Sequence, residues 1–240
     1  MKILILGGTG EARELAGRLV ATGHQVVTSL AGRTQQPMLP AGDVRVGKFG
    51  GIPGLVGYLK MTGTDRLVDA THPYAGLISI NAVAAAQQAG IKLVRFMRPA
   101  WVEPEGADWR HVASIADAAS ALPSGATVLV TTGHEGLELL LARDDCKLLV
   151  RLIEPPQMTL PHHARLILAR GPYSLEDETA LFVRESITHL VTKNSGGEQI
   201  SAKLVAARST GAQVIMIGRP EYGPAIEVGT IEDAVKAVLA

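Results

Sequence analysis

Short apolar runs without polar alternation recur along the chain, and most are followed by a turn or a helical pattern. Runs of this length are typical of strands covered on both faces, as in a parallel sheet. The ten predicted strands are Ile3–Leu6, Val26–Leu30, Val44–Val46, Leu67–Ala70, Leu93–Phe96, Val128–Val130, Leu148–Ile153, Leu166–Leu168, Leu190–Thr192 and Val214–Ile217. Alanine-rich helical patterns lie between them at Glu11–Ala21, Ile78–Ala89, Glu135–Ala142 and Ile200–Ser209. This alternation predicts right-handed βαβ crossovers and a doubly wound α/β fold.

An internal repeat splits this pattern into two halves. Aligning Thr71 with Thr192 gives an offset of 121 residues (192 − 71). The same offset pairs Gly76 with Gly197, Gly90 with Gly211, Arg98-Pro99 with Arg219-Pro220, and Trp101 with Tyr222. With small gaps, Ser114 also matches Thr230, and both are predicted helix N-caps. Any two βαβ units share glycine turns, but the Arg-Pro match goes beyond that background and favours two similar halves.

We predict two Rossmann-like doubly wound parallel-sheet halves around a central cleft, because ligands of such folds bind at the carboxyl ends of the strands. The turn-rich tripeptide Pro123-Ser124-Gly125 follows a predicted helix and marks the expected boundary. Residues 1–123 would then form an N-terminal domain and residues 124–240 a C-terminal domain.

Composition and charge exclude several classes of partner. Lysine plus arginine total 23, equal to aspartate plus glutamate, so no net field draws the protein to nucleic acid or to an anionic membrane. Cys146 is the only cysteine, which excludes an intramolecular disulfide, and no histidine spacing suits a metal. No apolar run reaches the ~18 residues of a membrane span, and Met1-Lys2 leads into the first strand without the cleavage signature of a signal peptide, so we expect none. We expect a cytoplasmic monomer or homodimer without a metal.

A glycine-rich turn follows the first predicted strand directly. In dinucleotide-binding folds, such a turn brings pyrophosphate close to the backbone and to the N-terminus of the next helix. Arg13 stands where the usual fingerprint has its third glycine, so the strict motif is not met, and turn geometry alone is the alternative interpretation. The position after strand one favours a cofactor phosphate site. The predicted cofactor-binding residues in this turn are Gly7, Gly8, Thr9, Gly10 and Glu11.

The end of the second predicted strand helps to choose the cofactor. NAD-dependent enzymes place an acidic residue there to bind both ribose hydroxyls. This chain has Ser29 and, in the following loop, Arg33, with no acidic residue between them. A hydroxyl and an arginine suit a 2′-phosphate, so Ser29 and Arg33 favour NADPH; a solvated loop residue is the alternative for Arg33.

Two loops that contain threonine follow equivalent strands of the repeat. The first, Asp69–Ala75, reads D-A-T-H-P-Y-A, and the second, Thr192–Gly197, reads T-K-N-S-G-G. Both are expected at the carboxyl ends of strands, where ligands of open α/β sheets bind. Lys193 lies where a helix N-terminus collects anions, which favours a role in ligand binding.

The three loops taken together carry a specific resemblance. The G-G-T-G-E-A turn at Gly7–Ala12, the loop Asp69–Ala75 and the loop Thr192–Gly197 closely resemble the precorrin-6A reductase family of cobalamin biosynthesis, and the resemblance covers essentially the whole chain. It implies an enzyme that transfers hydride from NADPH to a double bond of the precorrin-6A macrocycle, giving precorrin-6B. This chemistry needs a nicotinamide held against the acceptor carbon, without a metal or a nucleophile.

The substrate that the resemblance implies is a tetrapyrrole fringed with carboxylates, which requires cationic and N–H donors. The predicted substrate-binding residues are Thr71, Lys193, Asn194, Ser195, Gly196, Gly197, Arg98 and Arg219. The predicted catalytic residues are His72, Tyr74 and Lys193. His72 and Tyr74 would donate a proton or bind a carboxylate; a histidine fixed before Pro73 and a packing tyrosine are the alternatives.

Three other functions compete with this interpretation. A cobalt-precorrin-6A reductase would carry the same motifs and is not separated from the metal-free enzyme. An extended short-chain dehydrogenase or epimerase would share Gly7–Gly10, but its Tyr-x-x-x-Lys pair is absent. A non-catalytic NADP-sensing regulator would explain the first loop and leave Thr192–Gly197 without a role.

Overall fold

Strands and helices alternate along the residues that the computed structural model describes, which are 1–32, 38–198 and 200–240. The strands are β1 (Lys2–Leu6), β2 (Gln25–Leu30), β3 (Asp43–Val46), β4 (Arg66–Asp69), β5 (Lys92–Phe96), β6 (Trp109–Val112), β7 (Thr127–Val130), β8 (Lys147–Leu152), β9 (Ala164–Leu168), β10 (His189–Lys193), β11 (Gln213–Ile217) and β12 (Ile226–Val228). The helices are α1 (Gly10–Ala21), α2 (Gly51–Thr62), α3 (Gly76–Ala89), α4 (Ile115–Ala121), α5 (Leu137–Leu141), α6 (Leu175–Glu185), α7 (Ala202–Thr210) and α8 (Ile231–Leu239). All ten predicted strands are present.

The chain divides into two units, of which unit 1 comprises residues 1–99 and 220–240. Its six parallel strands follow the order β12-β5-β4-β1-β2-β3. This is the 3-2-1-4-5-6 order of dinucleotide-binding folds, with β12 in the sixth place. Side chains alternate along β1, so Ile3 and Ile5 pack with α1 and α8, while Leu4 and Leu6 pack with α2 and α3. The sheet is therefore covered on both faces.

Unit 2 comprises residues 100–219 and repeats the same architecture. Its parallel strands follow the order β6-β11-β10-β7-β8-β9, so β6 takes the sixth place. Phe182 of α6 and Leu204 of α7 pack on one face against Leu129 and Leu190. Helices α4 and α5 contact each other. The prediction of two doubly wound parallel-sheet halves is confirmed.

The predicted boundary between residues 123 and 124 is wrong. Strand β6 and helix α4 precede it in the chain but belong to unit 2, where Trp109 of β6 pairs with Val214 of β11. Strand β12 and helix α8 follow it but belong to unit 1, where Val228 pairs with Phe96 of β5. The units are defined by backbone pairing: β6 pairs with β11 of the second half, and β12 pairs with β5 of the first half. A turn in the sequence does not indicate such long-range pairing.

The N-termini of α4 and α8 are capped by the residues that the sequence repeat pairs with each other. Ser114 caps α4 by accepting a hydrogen bond from the backbone N–H of Asp117, and Thr230 caps α8 in the same way through Asp233. Both predicted N-caps are confirmed. None of the helices in the described ranges is long and apolar enough to cross a membrane.

Candidate active site

The glycine turn between β1 and α1 is fixed by steric requirements. A Cβ on Gly7 would lie 2.7 Å from Cγ2 of Thr28, and Gly8 has a φ of +115°, which disfavours other residues. Thr9 caps α1: its Oγ1 accepts from the N–H of Ala12 at 3.0 Å and donates to the carbonyl of Ala70 at 2.9 Å. The hydroxyl of Thr9 therefore holds the turn against the end of β4.

An ion pair lies at the start of α1. Arg98, which follows β5, donates to Oε1 of Glu11 at 2.6 Å, and both side chains are largely shielded from solvent. Burial acts to raise the pKa of Glu11, but hydrogen bonds from Arg98, from its own backbone N–H and from Thr9 outweigh burial, so the pKa is lowered. Arg98, predicted as a substrate ligand, is thus located beside the predicted cofactor turn.

A small open pocket connects this turn to the loop after β4. Its lining residues are Thr9, Glu11, Thr71, Pro73, Phe96 and Arg98. They come from the carboxyl ends of β1, β4 and β5, the side of the sheet on which ligands of this fold bind. Within unit 1, the structure therefore brings together predicted cofactor and substrate residues.

The loop after β4 is fixed by a buried arginine, Arg95, that was not predicted as a site residue. Oδ1 of Asp69 accepts from the hydroxyl of Thr71 at 2.7 Å and from its N–H at 3.3 Å. Nε of Arg95 lies 3.5 Å from Oδ2 of Asp69, and its NH1 donates to the carbonyl of Gly223 and to Glu227. Arg95 thus links the loop after β4 to the segment that contains Gly223 and to Glu227 of β12.

His72 and Tyr74 are neighbours on the outer part of this loop. His72 is exposed and Tyr74 is half-buried, with ring centroids 5.9 Å apart. The N–H of Tyr74 donates to Nδ1 of His72 at 3.3 Å. The carbonyl of Pro73, between them, accepts from the hydroxyl of Tyr222 at 2.7 Å. The bond from Tyr74 orients the ring of His72, and a chemical role for His72 stays a prediction.

The remaining cofactor predictions concern the end of β2. Ser29 is buried, and its Oγ accepts a hydrogen bond from Arg45 of β3 at 3.2 Å. Arg45 was not predicted as a site residue, since it interrupts a short apolar run. Arg33 lies outside the residues that the structure describes.

The loop after β10 forms the second group of predicted residues, in unit 2. The side-chain amide of Asn194 accepts from the N–H of Trp101 at 2.8 Å and donates to its carbonyl at 3.0 Å. Nε1 of Trp101 donates to the carbonyl of Gly197 at 2.9 Å. Asn194 and Ser195 are both buried. These residues shape the loop, and the direct substrate contact predicted for them stays a prediction.

Two cations accompany this loop. Nζ of Lys193 lies 3.4 Å from Oε2 of Glu135, a side chain that is 76% exposed. Nε of Arg219 donates to the carbonyl of Asn194 at 2.7 Å. Gly196 and Gly197 adopt positive φ values of 67° and 86°, which turn the chain toward α7. Arg219 therefore lies against the loop backbone directly after Lys193, and substrate binding by both stays a prediction.

Metal-binding groups are not brought together in the part of the chain that the structure describes: no three His, Cys, Asp or Glu side chains cluster there. Cys146 is buried, and burial raises the pKa of its thiol.

The strand order of both units and the glycine turn of unit 1 define a protein of the Rossmann class. Residues 2–239 match the family model described as precorrin-6x reductase CbiJ/CobK, and the chain belongs to this family. It is 47% identical to precorrin-6A reductase of Rhodococcus erythropolis over 99% of this chain and 96% of that protein. It is 29% identical to cobalt-precorrin-6A reductase of Priestia megaterium over 99% and 98% of the two chains.

A solved structure agrees with the sequence relatives. The chain superposes on CobK precorrin-6A reductase with a TM-score of 0.92 and 40% identity, covering 100% of this chain and 96% of the other. The resemblance inferred from the three loops is confirmed, and so is the prediction that the protein is an enzyme, a reductase of cobalamin biosynthesis.

Proposed function

We propose that the protein reduces precorrin-6A to precorrin-6B with NADPH as the hydride donor. Sequence identity supports the metal-free substrate. Relatives named precorrin-6A reductase are 39–47% identical to this chain. Relatives named cobalt-precorrin-6A reductase are 27–32% identical. This difference favours precorrin-6A over its cobalt-bearing equivalent.

The residues of unit 1 fit a dinucleotide cofactor. Gly7 and Gly8 keep side chains away from the turn, and a Cβ at Gly7 would clash with Thr28. The first N–H groups of α1 have no helical acceptors, so they suit the pyrophosphate. Gly7, Gly8, Gly10 and the start of α1 would hold the phosphates. Thr9 would act by capping α1 and holding the turn through its hydroxyl, and not by direct contact with the cofactor.

Side chains near the pocket supply the remaining requirements of the reaction. NADPH, when bound, supplies hydride to one carbon of a double bond, and the neighbouring carbon takes a proton. Nδ1 of His72 accepts a hydrogen bond from the backbone N–H of Tyr74, which orients the imidazole on the loop after β4. His72 is therefore our candidate for proton donation, and the hydroxyl of Tyr74 is our second candidate. The bonds of Asp69 and Arg95 would keep both at fixed positions.

Lys193 and Arg219 are suited to the carboxylates of the macrocycle. One partner of Lys193 is Glu135, whose side chain is largely exposed. A substrate carboxylate would replace it and form a charge-assisted hydrogen bond. Arg219 uses Nε to hold the loop backbone, which orients the guanidinium. Asn194, Ser195, Gly196 and Gly197 would support binding by shaping this loop.

The test is a reaction with purified protein, NADPH and precorrin-6A, followed at the nicotinamide absorbance band. We expect NADPH loss that depends on precorrin-6A, slower loss with NADH, and slower loss with cobalt-precorrin-6A. If NADPH binds but neither macrocycle accelerates its loss, the reductase assignment is overturned. If the cobalt-bearing macrocycle reacts faster, the pathway assignment alone is overturned.

A further inference from the structure

Arg45 of β3 is fixed in one orientation by contacts on several sides. Its NH1 donates to Oγ of Ser29 at 3.2 Å and to the carbonyl of Gly47 at 2.6 Å. Its NH2 donates to the carbonyl of Lys48 at 2.8 Å. These bonds hold the guanidinium against the ends of β2 and β3, where Ser29 and Arg45 are register partners.

An aromatic pair supports the same group. The guanidinium carbon lies 3.8 Å from the ring centroid of Phe49 and 5.4 Å from that of Tyr58. The two rings pack edge to face, 5.3 Å apart. Stacking on Phe49 leaves the edge of the planar cation to hydrogen-bond acceptors, an arrangement that pre-organises arginine for anions. Little side-chain freedom remains to be lost when a ligand binds.

The charge of Arg45 is not neutralised within the described residues. All of its hydrogen-bond acceptors there are neutral oxygens, and no described carboxylate lies within ion-pair distance. Arg95 and Arg98 of the same unit, by contrast, each pair with a carboxylate. The three bonds use only part of the five N–H donors of a guanidinium. A fixed cation with remaining donors suits a phosphate.

The position of Arg45 identifies the phosphate. Dinucleotide-binding folds recognise the 2′ position of the adenosine ribose at the end of the second strand, and Ser29 lies at that end. We propose that Arg45, held by Ser29 and Phe49, binds the 2′-phosphate of NADPH and so determines the preference for NADPH over NADH. This inference rests on the proposed cofactor site of unit 1. It is independent of Arg33.

The test measures dissociation constants of the full-length protein for NADPH, NADH and 2′,5′-ADP, by nicotinamide fluorescence or calorimetry. Arg45→Gln should weaken NADPH and 2′,5′-ADP roughly tenfold to a hundredfold, the effect of losing hydrogen bonds to a charged group. NADH affinity should change less than about twofold, because NADH lacks the 2′-phosphate. Arg45→Lys keeps the charge without the planar fork, so its effect should be intermediate.

Arg18→Gln is the matched control, since Arg18 lies on the surface of the same unit in pairs with Glu14 and Glu232. It should leave both nucleotide affinities unchanged. Equal losses of NADPH and NADH in the Arg45 variants would mean that Arg45 only braces β3, which refutes the proposal, as would unchanged NADPH binding. If Arg45→Gln does not fold, Arg45→Lys decides by the same ratio of NADPH affinity to NADH affinity.

The wild-type protein separates this inference from the proposed function. Wild-type protein that binds NADPH no better than NADH would refute the 2′-phosphate site while leaving a cofactor site in place. Wild-type protein that binds neither nucleotide would refute the proposed function itself.

Discussion

Glu11 and Arg98 place opposite charges at the N-terminus of α1, where the cofactor phosphates are expected. The lowered pKa of Glu11 keeps its carboxylate ionised at neutral pH. A carboxylate at this position interacts with the same positive end of the helix that would attract pyrophosphate. Arg98 balances the charge of Glu11, so a phosphate and Glu11 compete for Arg98 and for the helix terminus.

We therefore expect Glu11→Gln to tighten NADPH binding by roughly twofold to fivefold, the size of a single charge at a helix terminus. The gain should shrink at high salt because the charges are partly exposed. Dissociation constants at two salt concentrations check this. Glu14→Gln, one turn further along α1 in a surface pair with Arg18, is the control and should have no effect. Weaker binding by Glu11→Gln would instead mean that Glu11 contacts the cofactor, as the sequence suggested.

Lys193 is the second residue whose role can be separated by measurement. Lys193→Ala should raise the KM for the macrocycle roughly tenfold or more, since a charge-assisted hydrogen bond to a carboxylate is lost. The KM for NADPH should stay nearly constant. Lys147→Ala removes a lysine of the same unit at the opposite, amino end of β8 and is the control. A larger effect on the KM for NADPH than on that for the macrocycle would contradict the placement of Lys193 at the substrate.

Residues of the site were predictable where local sequence determines their geometry. Gly7 and Gly8 follow a strand directly, and their turn is set by the adjacent residues. Arg95 was missed because its contacts join distant segments: it reaches Glu227, 132 positions away. Arg45 was missed although Gly47, Lys48 and Phe49 are close to it in sequence, because it interrupts a short apolar strand pattern. Both lie in apolar strand patterns, and the sequence there does not indicate which residue the arginine contacts. The pairing of Asn194 with Trp101 is equally invisible in the sequence, and the predicted role of Asn194 in substrate binding stays a prediction.

At the scale of elements, apolar content decided which strands were predicted. Eight of the ten predicted runs are central strands, mostly buried, and read as continuous apolar segments. The other two, β3 and β9, are edge strands that keep a short apolar run although their residues are half-buried or exposed. The missed strands, β6 with the sequence W-R-H-V and β12 with I-E-V, lie at sheet edges, and charged or polar residues interrupt their short apolar sequences. Helix α2 was missed because its 12 residues include Gly51, Gly54 and Gly57 as well as Pro53, which lower helix propensity.

The segment before β12 fixes the loop that carries His72 and Tyr74. Tyr222→Phe removes the buried hydrogen bond to the carbonyl of Pro73 and should lower the free energy of unfolding by about 1–3 kcal/mol. It should also speed amide exchange within the loop Asp69–Ala75. Urea unfolding and hydrogen exchange measure these effects.

Tyr173→Phe is the matched control for this variant. The hydroxyl of Tyr173 donates to the carbonyl of Ala169, only four positions away and in unit 2. It should leave exchange in the loop Asp69–Ala75 unchanged. If Tyr222→Phe also leaves that exchange unchanged, Tyr222 does not hold the loop.

At the scale of the whole molecule, the sequence repeat marks the two places where the chain passes between units. The division falls directly after Arg98-Pro99 and between Arg219 and Pro220. Trp101 then contacts the carbonyl of Gly197 in unit 2, and Tyr222 contacts that of Pro73 in unit 1. The repeat predicted two equivalent halves correctly. It did not show that each sheet takes its sixth strand from the other half of the chain, because pattern alone does not specify pairing partners.

This exchange predicts how fragments of the chain behave. A fragment of residues 1–123 lacks β12 and α8, so Ile231 and Val238, both buried against α1, are missing. Burying two such side chains contributes roughly 3–6 kcal/mol, against a net stability of about 5–15 kcal/mol for a typical domain. We expect neither residues 1–123 nor residues 124–240 to unfold cooperatively alone. An equimolar mixture should regain a cooperative transition, because each fragment supplies the strand and helix that the other lacks.

Circular dichroism during thermal unfolding distinguishes this expectation from a boundary at residue 123. Independent domains would give each fragment its own cooperative transition, unchanged by mixing, and that result would contradict the exchange. NADPH fluorescence provides a second readout, since the turn Gly7–Gly10 is present in residues 1–123. Binding should be weak for that fragment alone and restored by the mixture, because β5, which precedes Arg98, loses its partner strand β12 in the isolated fragment. Full binding by residues 1–123 alone would mean that the first five strands suffice to form the cofactor site.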